Sequence, residues 1–136
     1  MPSMSDCCTS FSICIPCYDD LRGLRETLKS LVECLESKQK DQFHIVIGLN
    51  DCNFEKKDIL KGQSLNPGIV ISCYKTQKYL EYDDSILFVL SKVRSDFCLL
   101  IGCGDLALPN LSKALFSFGN SESEFGLLPV RVEREG

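Results

Sequence analysis

Four short apolar runs punctuate the chain, and hydrophobic residues recur at helical spacing between them. The runs are residues 11–16 (FSICIP), 44–49 (HIVIGL), 69–73 (IVISC) and 97–101 (FCLLI). Each is strand-sized and bounded by charged or turn-forming residues, so each predicts a β-strand. Continuous rather than alternating apolarity predicts strands covered on both faces. After the first run, Leu21, Leu24, Leu28, Leu31, Val32 and Leu35 fall on one helical face, with Arg22, Arg25, Glu26, Lys29, Glu33 and Glu36 opposite. Asp19 or Asp20 is placed to cap that helix, and Lys38 and Lys40 to meet the dipole at its far end. A weaker helical segment spans residues 55–61, and Asn66-Pro67-Gly68 marks a turn before the third run. Asp83 and Asp84 precede a helix carrying Ile86, Val89, Leu90 and Val93. Pro109 suits position N1 of a last helix through Leu111, Ala114, Leu115 and Phe118, with Gly119 closing it. A fifth strand is expected over residues 125–132.

Strand and helix in alternation predict a three-layer α/β domain, Rossmann-like, with a mainly parallel sheet and helices on both faces. In such sheets ligands bind outside the carboxyl ends of the strands. Those ends are residues 17–20, 49–53, 74–77 and 102–106, and three of the four carry carboxylates. A site is expected there.

Composition narrows the class. The chain has 136 residues, 44% hydrophobic and 25% charged, which suits one domain and excludes a disordered tail. Residues 1–10 read as an N-terminal tail and residues 11–136 as a single α/β domain. No apolar run approaches the roughly 18 residues of a membrane span, and no basic-then-apolar leader opens the chain, so a cytoplasmic location is expected. The net charge of −4 disfavours a general nucleic-acid binder, which needs positive charge to meet phosphates. Nine cysteines, several inside apolar runs, read mainly as small core hydrophobes.

Among candidate chemistries, Cys14-Ile15-Pro16-Cys17 forms a CxxC between a strand and a helix, which admits a thiol-redox reading using Cys14 and Cys17. Zinc lacks a second ligand pair to join Cys7, Cys8, Cys14 and Cys17. His44 is the single histidine and opens a strand, which leaves nucleophilic triads without a base. Neither a P-loop nor GxGxxG is present. The remaining polar groups are Asp19 and Asp20, Asn50 and Asp51, Asp83 and Asp84, and Asp105. Each alone reads as a cap, a turn residue or a solvated face. Three of these groups, gathered at one sheet edge, suit a divalent cation holding a phosphorylated ligand.

Three stretches, taken in order, resemble the family 2 glycosyltransferases of GT-A fold, closest to their abequosyltransferase-like members. They are FSICIPCYDDLRGLRETLKSL, FHIVIGLNDC and KYLEYDDSILFVLSKVRSDFCLLIGCGDLALPNLSKAL, covering most of residues 11–118. The resemblance is to the N-terminal, donor-binding half of that family. It implies transfer of a sugar from a nucleotide-diphosphate sugar to an acceptor hydroxyl, with surface polysaccharide synthesis as the suggested setting. It places Pro16, Cys17 and Tyr18 in the loop touching the base, with Asp19 where the family usually has Asn. Asn50 and Asp51 fall at the loop contacting base or ribose, and Asp83 in the stretch near the diphosphate. Asp105 matches the last carboxylate of the D-x-D motif that binds Mn or Mg. The departures are that Cys103-Gly104-Asp105 replaces three acids, Leu49 stands where an acid is usual, and Glu81 and Ser85 replace Gly and Asn. The family's general base comes from a later segment; Glu122, Glu124, Glu133 and Glu135 are carboxylates there, none of them marked for the role. A second copy or a partner chain is then expected to supply the acceptor half. Two alternatives stay open: a truncated, non-catalytic relative, and the thiol-redox protein.

Overall fold

The structure, a computed structural model, describes residues 9–37, 39–64, 68–121 and 126. Lys38, the Asn66-Pro67 part of the expected turn, the expected strand over 125–132 save Gly126, and Glu122, Glu124, Glu133 and Glu135 lie outside them. In chain order the elements are β1 (Phe11–Tyr18), α1 (Leu21–Cys34), β2 (Phe43–Asn50), α2 (Lys56–Leu60), β3 (Ile69–Lys75), α3 (Tyr82–Leu90), β4 (Phe97–Leu100) and α4 (Leu111–Gly119). The strands form one sheet in the order β3-β2-β1-β4, and every neighbouring pair is parallel. This is the expected Rossmann-like α/β layout, with helices on both faces of the sheet.

Alternation along β1 and β2 divides the core. Ile13, Ile15, Ile45 and Ile47 point to one face, where Leu24, Leu28 and Leu31 of α1, Ile59 of α2 and Leu115 of α4 cover them. Each buried branched side chain contributes about 1.5–3 kcal/mol relative to exposure. Cys14 and Val46 point to the other face, beneath Val89 of α3. Gly48 permits that approach, since a Cβ there would lie 3.2 Å from the Cβ of Val89. At the amino end, Phe11 pairs in register with Phe43 and Phe97. Their rings stack at 5.8 and 6.0 Å, Phe116 meets Phe11 edge-on at 5.8 Å, and Phe118 closes on Phe97 at 5.3 Å.

Several sequence expectations are corrected. The central strands are covered on both faces, but the edge strands are not. Val70 of β3 is 39% exposed and Leu100 of β4 42% exposed, because among the described residues α3 is the helix packed on that side and it sits over β1 and β2. Of the two expected caps of α1 it is Asp20 that serves, as the sequence allowed, its Oδ1 accepting from the Gly23 amide at 2.9 Å. That helix ends at Cys34, with no basic residue in its last turn. Asp83 and Asp84 lie inside the first turn of α3, with Glu81 at the N-cap. Pro109 precedes the N-cap of α4, Asn110, instead of occupying N1, and Gly119 is the last helical residue. No helix among the described residues is long and apolar enough to cross a membrane.

Candidate functional site

Strand order locates the site. From β1 the chain steps outward through β2 to β3, then crosses the opposite face by way of α3 and returns as β4 on the far side of β1. The direction of winding therefore reverses between β1 and β4. The connections leaving their carboxyl ends diverge there, at the position of the ligand crevice in sheets of this class. The first connection is residues 18–20 and the fourth is residues 101–108.

The loops around this crevice are tied to one another by their own polar groups. Tyr18↔Asn50 is the last register pair of β1 and β2, so Asp19 and Asp51 follow side by side. Both take left-handed backbone, φ 42° and 51°, a conformation that Asp tolerates better than most residues. Asp19 donates its amide to Cys52 Sγ at 3.1 Å and accepts at Oδ1 from the Asn53 amide at 3.1 Å. Asn50, buried, clamps the loop after β3: its Nδ2 donates to the Leu80 carbonyl and its Oδ1 accepts from the Leu80 amide, both at 2.8 Å. That loop carries Tyr79, whose ring meets Tyr18 edge-on at 5.2 Å. Tyr18 and Tyr79 are 60% and 48% exposed, an aromatic surface at the mouth of the site. Pro16 and Cys17 lie behind Tyr18 in β1. Asp83 is exposed on the first turn of α3, just beyond the Tyr79 loop.

The fourth loop is laced to α1. Thr27 Oγ1 accepts from the Gly104 amide at 2.8 Å, Ser30 Oγ from the Ala107 amide at 2.9 Å, and Cys34 Sγ lies 3.5 Å from the Ala107 carbonyl oxygen. Gly104, at φ 99°, supplies the left-handed residue of this turn. Asp105 closes it, its Oδ2 accepting from the Gly102 amide at 2.9 Å. Among the described residues no three His, Cys, Asp or Glu side chains are grouped to hold a metal. The donor set therefore does not make a protein-only cage. Of the side chains in this turn, the Asp105 carboxylate is the one whose oxygen donors suit an ion of the Mg or Mn type.

Below the crevice, Cys103 Sγ lies 3.4 Å from Cys17 Sγ and 3.5 Å from the Asp20 carbonyl oxygen. The hydrogen bond with Cys103, reinforced by burial, pushes the Cys17 thiol well above the ordinary thiol range. Burial pushes Cys52 up to about 12. Cys14 packs with Val46 and Val89 on one face of β1, while Cys17 belongs to the core on the other. A separation of three along a strand reverses the side. The Cys14–Cys17 pair therefore cannot act as a dithiol, and the redox reading built on it is corrected. His44 lies near the amino end, its Nε2 2.8 Å from Ser72 Oγ, away from the crevice.

The sequence reading missed Tyr79 and the anchoring by Thr27 and Ser30. Tyr79 lies in a connection without periodicity. Thr27 left a trace: a polar residue on the apolar face of α1, fully buried. Two open grooves lie elsewhere, one against Glu36, Ser112 and Phe116 and one against Arg25, Lys29 and Gly62; Arg25 is engaged with the Asp58 and Lys61 carbonyls at 2.6 and 2.7 Å.

No family model and no curated protein matches the chain. Among solved structures it is similar to the crystal structure of S. aureus TarS, with a TM-score of 0.63 and 18% identity. The likeness covers 81% of this chain and 19% of that one, so the chain spans about a fifth of the TarS chain's length. At this identity the likeness speaks for the fold alone, a Rossmann-type α/β arrangement.

Proposed function

We propose that the chain binds a nucleotide-diphosphate sugar in the β1/β4 crevice, as the donor half of a glycosyltransferase. One observation carries this reading. The two stretches resembling the family's base-binding loop and metal turn, distant in sequence, flank the same topological switch point. Tyr18, joined by Tyr79, offers an aromatic face to the base. Asn50 positions the Tyr79 loop, and Pro16, Cys17, Asp19 and Asp51 shape the floor and the ribose side. Asp83 borders the diphosphate. Asp105 is the residue that would hold Mn or Mg on the diphosphate, and the ion would supply charge stabilisation to the departing nucleoside diphosphate. In the transfer itself an acceptor oxygen forms its bond to the anomeric carbon as the bond to the diphosphate breaks, and a base takes the acceptor proton. The base and acceptor half come from outside the described residues. The acceptor belongs to surface polysaccharide synthesis in this reading. The described cysteines are all free, which fits a reducing cytoplasm.

Calorimetry with UDP, GDP and dTDP, each with and without Mn, tests the donor site. One nucleoside diphosphate is expected to bind, and Tyr18→Ala is expected to weaken it by the roughly 1–3 kcal/mol of a lost base stack. Asp105→Ala is expected to remove the Mn-dependent part. Binding of none of the three, or binding indifferent to both substitutions, overturns the proposal. A second reading, donor binding without transfer, is favoured by Cys103 standing where the family has an acid, since a soft thiol serves Mn or Mg poorly. Nucleoside diphosphate release in the presence of acceptor separates the two.

A further inference from the structure

Three thiols that donor binding does not employ in chemistry converge under the crevice. Cys17 is the penultimate residue of β1, buried, and Cys103 sits in the turn after β4, half-buried. The register Cys14↔Leu100, continued three positions, sets Cys17 opposite Cys103 across the β1/β4 seam. Both side chains point to the α1 face. Their sulfurs are already in contact at 3.4 Å, and a bond at about 2.05 Å needs only a small closure. Gly102 and Gly104 flank Cys103, and Gly104 already turns at φ 99°, so the segment that must move is the one with the freest backbone. Cys52 is the third member, its Sγ 3.5 Å from the Cys17 carbonyl oxygen and engaged by the Asp19 amide. Sequence spacing pointed to the wrong partner for Cys17; the strand order supplies another, on the same face.

We infer that Cys17 and Cys103 form a reversible disulfide that fastens the Asp105 turn to the end of β1 and so gates the crevice by redox state. The gating part rests on the donor-binding reading; the bond itself does not. The oxidant is a low-molecular-weight disulfide such as oxidised glutathione. The deprotonated sulfur of Cys103, the more accessible of the two, attacks one sulfur of that disulfide, forming a mixed disulfide and expelling one glutathione thiolate. Cys17 then gives up its proton, and its sulfur attacks Cys103 Sγ, expelling the second. Two protein thiols lose two electrons, one disulfide is reduced by two, and the two protons leave on the two glutathiones. A reducing dithiol reverses the sequence. The bond draws the turn of residues 102–105 toward Tyr18 and holds it there, narrowing the space between the first and fourth loops.

The test is peptide mapping of the folded chain after oxidised glutathione, with exposed Cys98 as the internal control for reaction with the oxidant. A linked peptide joining Cys17 to Cys103, absent in Cys103→Ser and retained in Cys52→Ser, is the expected result. In a Cys7→Ser/Cys8→Ser background, phenylarsine oxide, which bridges two adjacent thiols without oxidising them, is expected to bind one-to-one, and not once Cys103→Ser is added. A folded protein whose Cys98 is glutathionylated while Cys17 and Cys103 stay unlinked overturns the proposal, as does linkage of Cys17 to Cys52. Nucleoside diphosphate affinity is then compared between reduced and linked forms. A loss of roughly 10-fold, within the range usual for coupled sites, restored by dithiothreitol, supports the gate; equal affinity overturns it. If the reduced chain binds no nucleoside diphosphate, the donor reading and the gate fall together, while the disulfide is decided by the peptide map.

Discussion

At its amino end the sheet closes on rings: Phe43 and Phe97 stack on Phe11 between them, and Phe116 and Phe118 meet Phe11 and Phe97 edge-on. At its carboxyl end the same strands give way to Tyr18, Asn50 and the glycine turn at Gly102 and Gly104, with Tyr18 and Tyr79 facing outward. Both ends use aromatic side chains in contact at similar distances. What differs is coverage. α4 lies over the first cluster, so its rings contribute hydrophobic and dispersion energy to folding. No described helix lies over the second, so its rings add little to stability and keep their faces free for a ligand. Left-handed backbone does not separate the two ends, since Asp19 and Asp51 sit at the open one and Asp41 just before β2 at the closed one. One end holds the fold together, and the other presents it.

This division can be broken most forcefully at Phe11. Replacing it with Ala removes a ring touching three others and is expected to cost about 3–5 kcal/mol, read as a lowered urea midpoint, with nucleoside diphosphate affinity of the folded fraction unchanged. A cost confined to about 1 kcal/mol, or a loss of affinity in folded protein, contradicts the division. Asn50→Leu has an intermediate effect because it touches both roles. It leaves the Leu80 amide and carbonyl without their clamp, at about 1–3 kcal/mol. Amide exchange at Leu80 should accelerate more than that of the β1 core, and base binding should weaken with it. Uniform acceleration across the chain would make Asn50 a residue of the closed end. The smallest effect is a pH dependence at His44. Burial, aided by Lys56, holds its imidazole below 6.5, so the folded state prefers the neutral form. The stability this brings is full above pH 6.5 and is lost as pH falls from 6.5 through the lower folded value. His44→Gln should flatten that limb of a pH-stability curve without altering nucleoside diphosphate affinity.

The strands were legible because β1 and β2 are buried on both faces, and burial writes itself as the continuous runs FSICIP and HIVIGL. The same signal misled for β4. FCLLI is as apolar, yet Cys98 and Leu100 face the side that α3 leaves uncovered, and coverage depends on where a helix lands. The carboxyl edge was legible as a place because it follows from strand order in this class of sheet. Its working parts were less so. Cys14 and Cys17 looked like a pair because they are near in sequence, whereas the parity of a strand separates them and the β1/β4 register brings Cys103 in. Asn50 was legible as a residue of the carboxyl edge, but its hold on Leu80 links two loops that no local pattern connects. Asp83, Asp84 and Pro109 were misplaced by a residue or two against helix starts, which is the usual uncertainty of such boundaries.

Pairing of β4 with β1 has a kinetic side. The Ser10–Asp96 hydrogen bonds that open this seam join residues 86 apart, whereas β1, α1 and β2 are consecutive. Closing so long a loop costs entropy before any contact repays it, and the seam has four register pairs against eight between β1 and β2. β4 is therefore expected to dock late and to open early, which makes the crevice the last part of the molecule to assemble. A ligand spanning the first and fourth loops would bind the docked chain alone, and at a hundred times its dissociation constant would add about 2.7 kcal/mol to that state. Occupancy of the crevice and completion of the sheet would then be measurable as a single equilibrium, through the rise in melting temperature with ligand concentration.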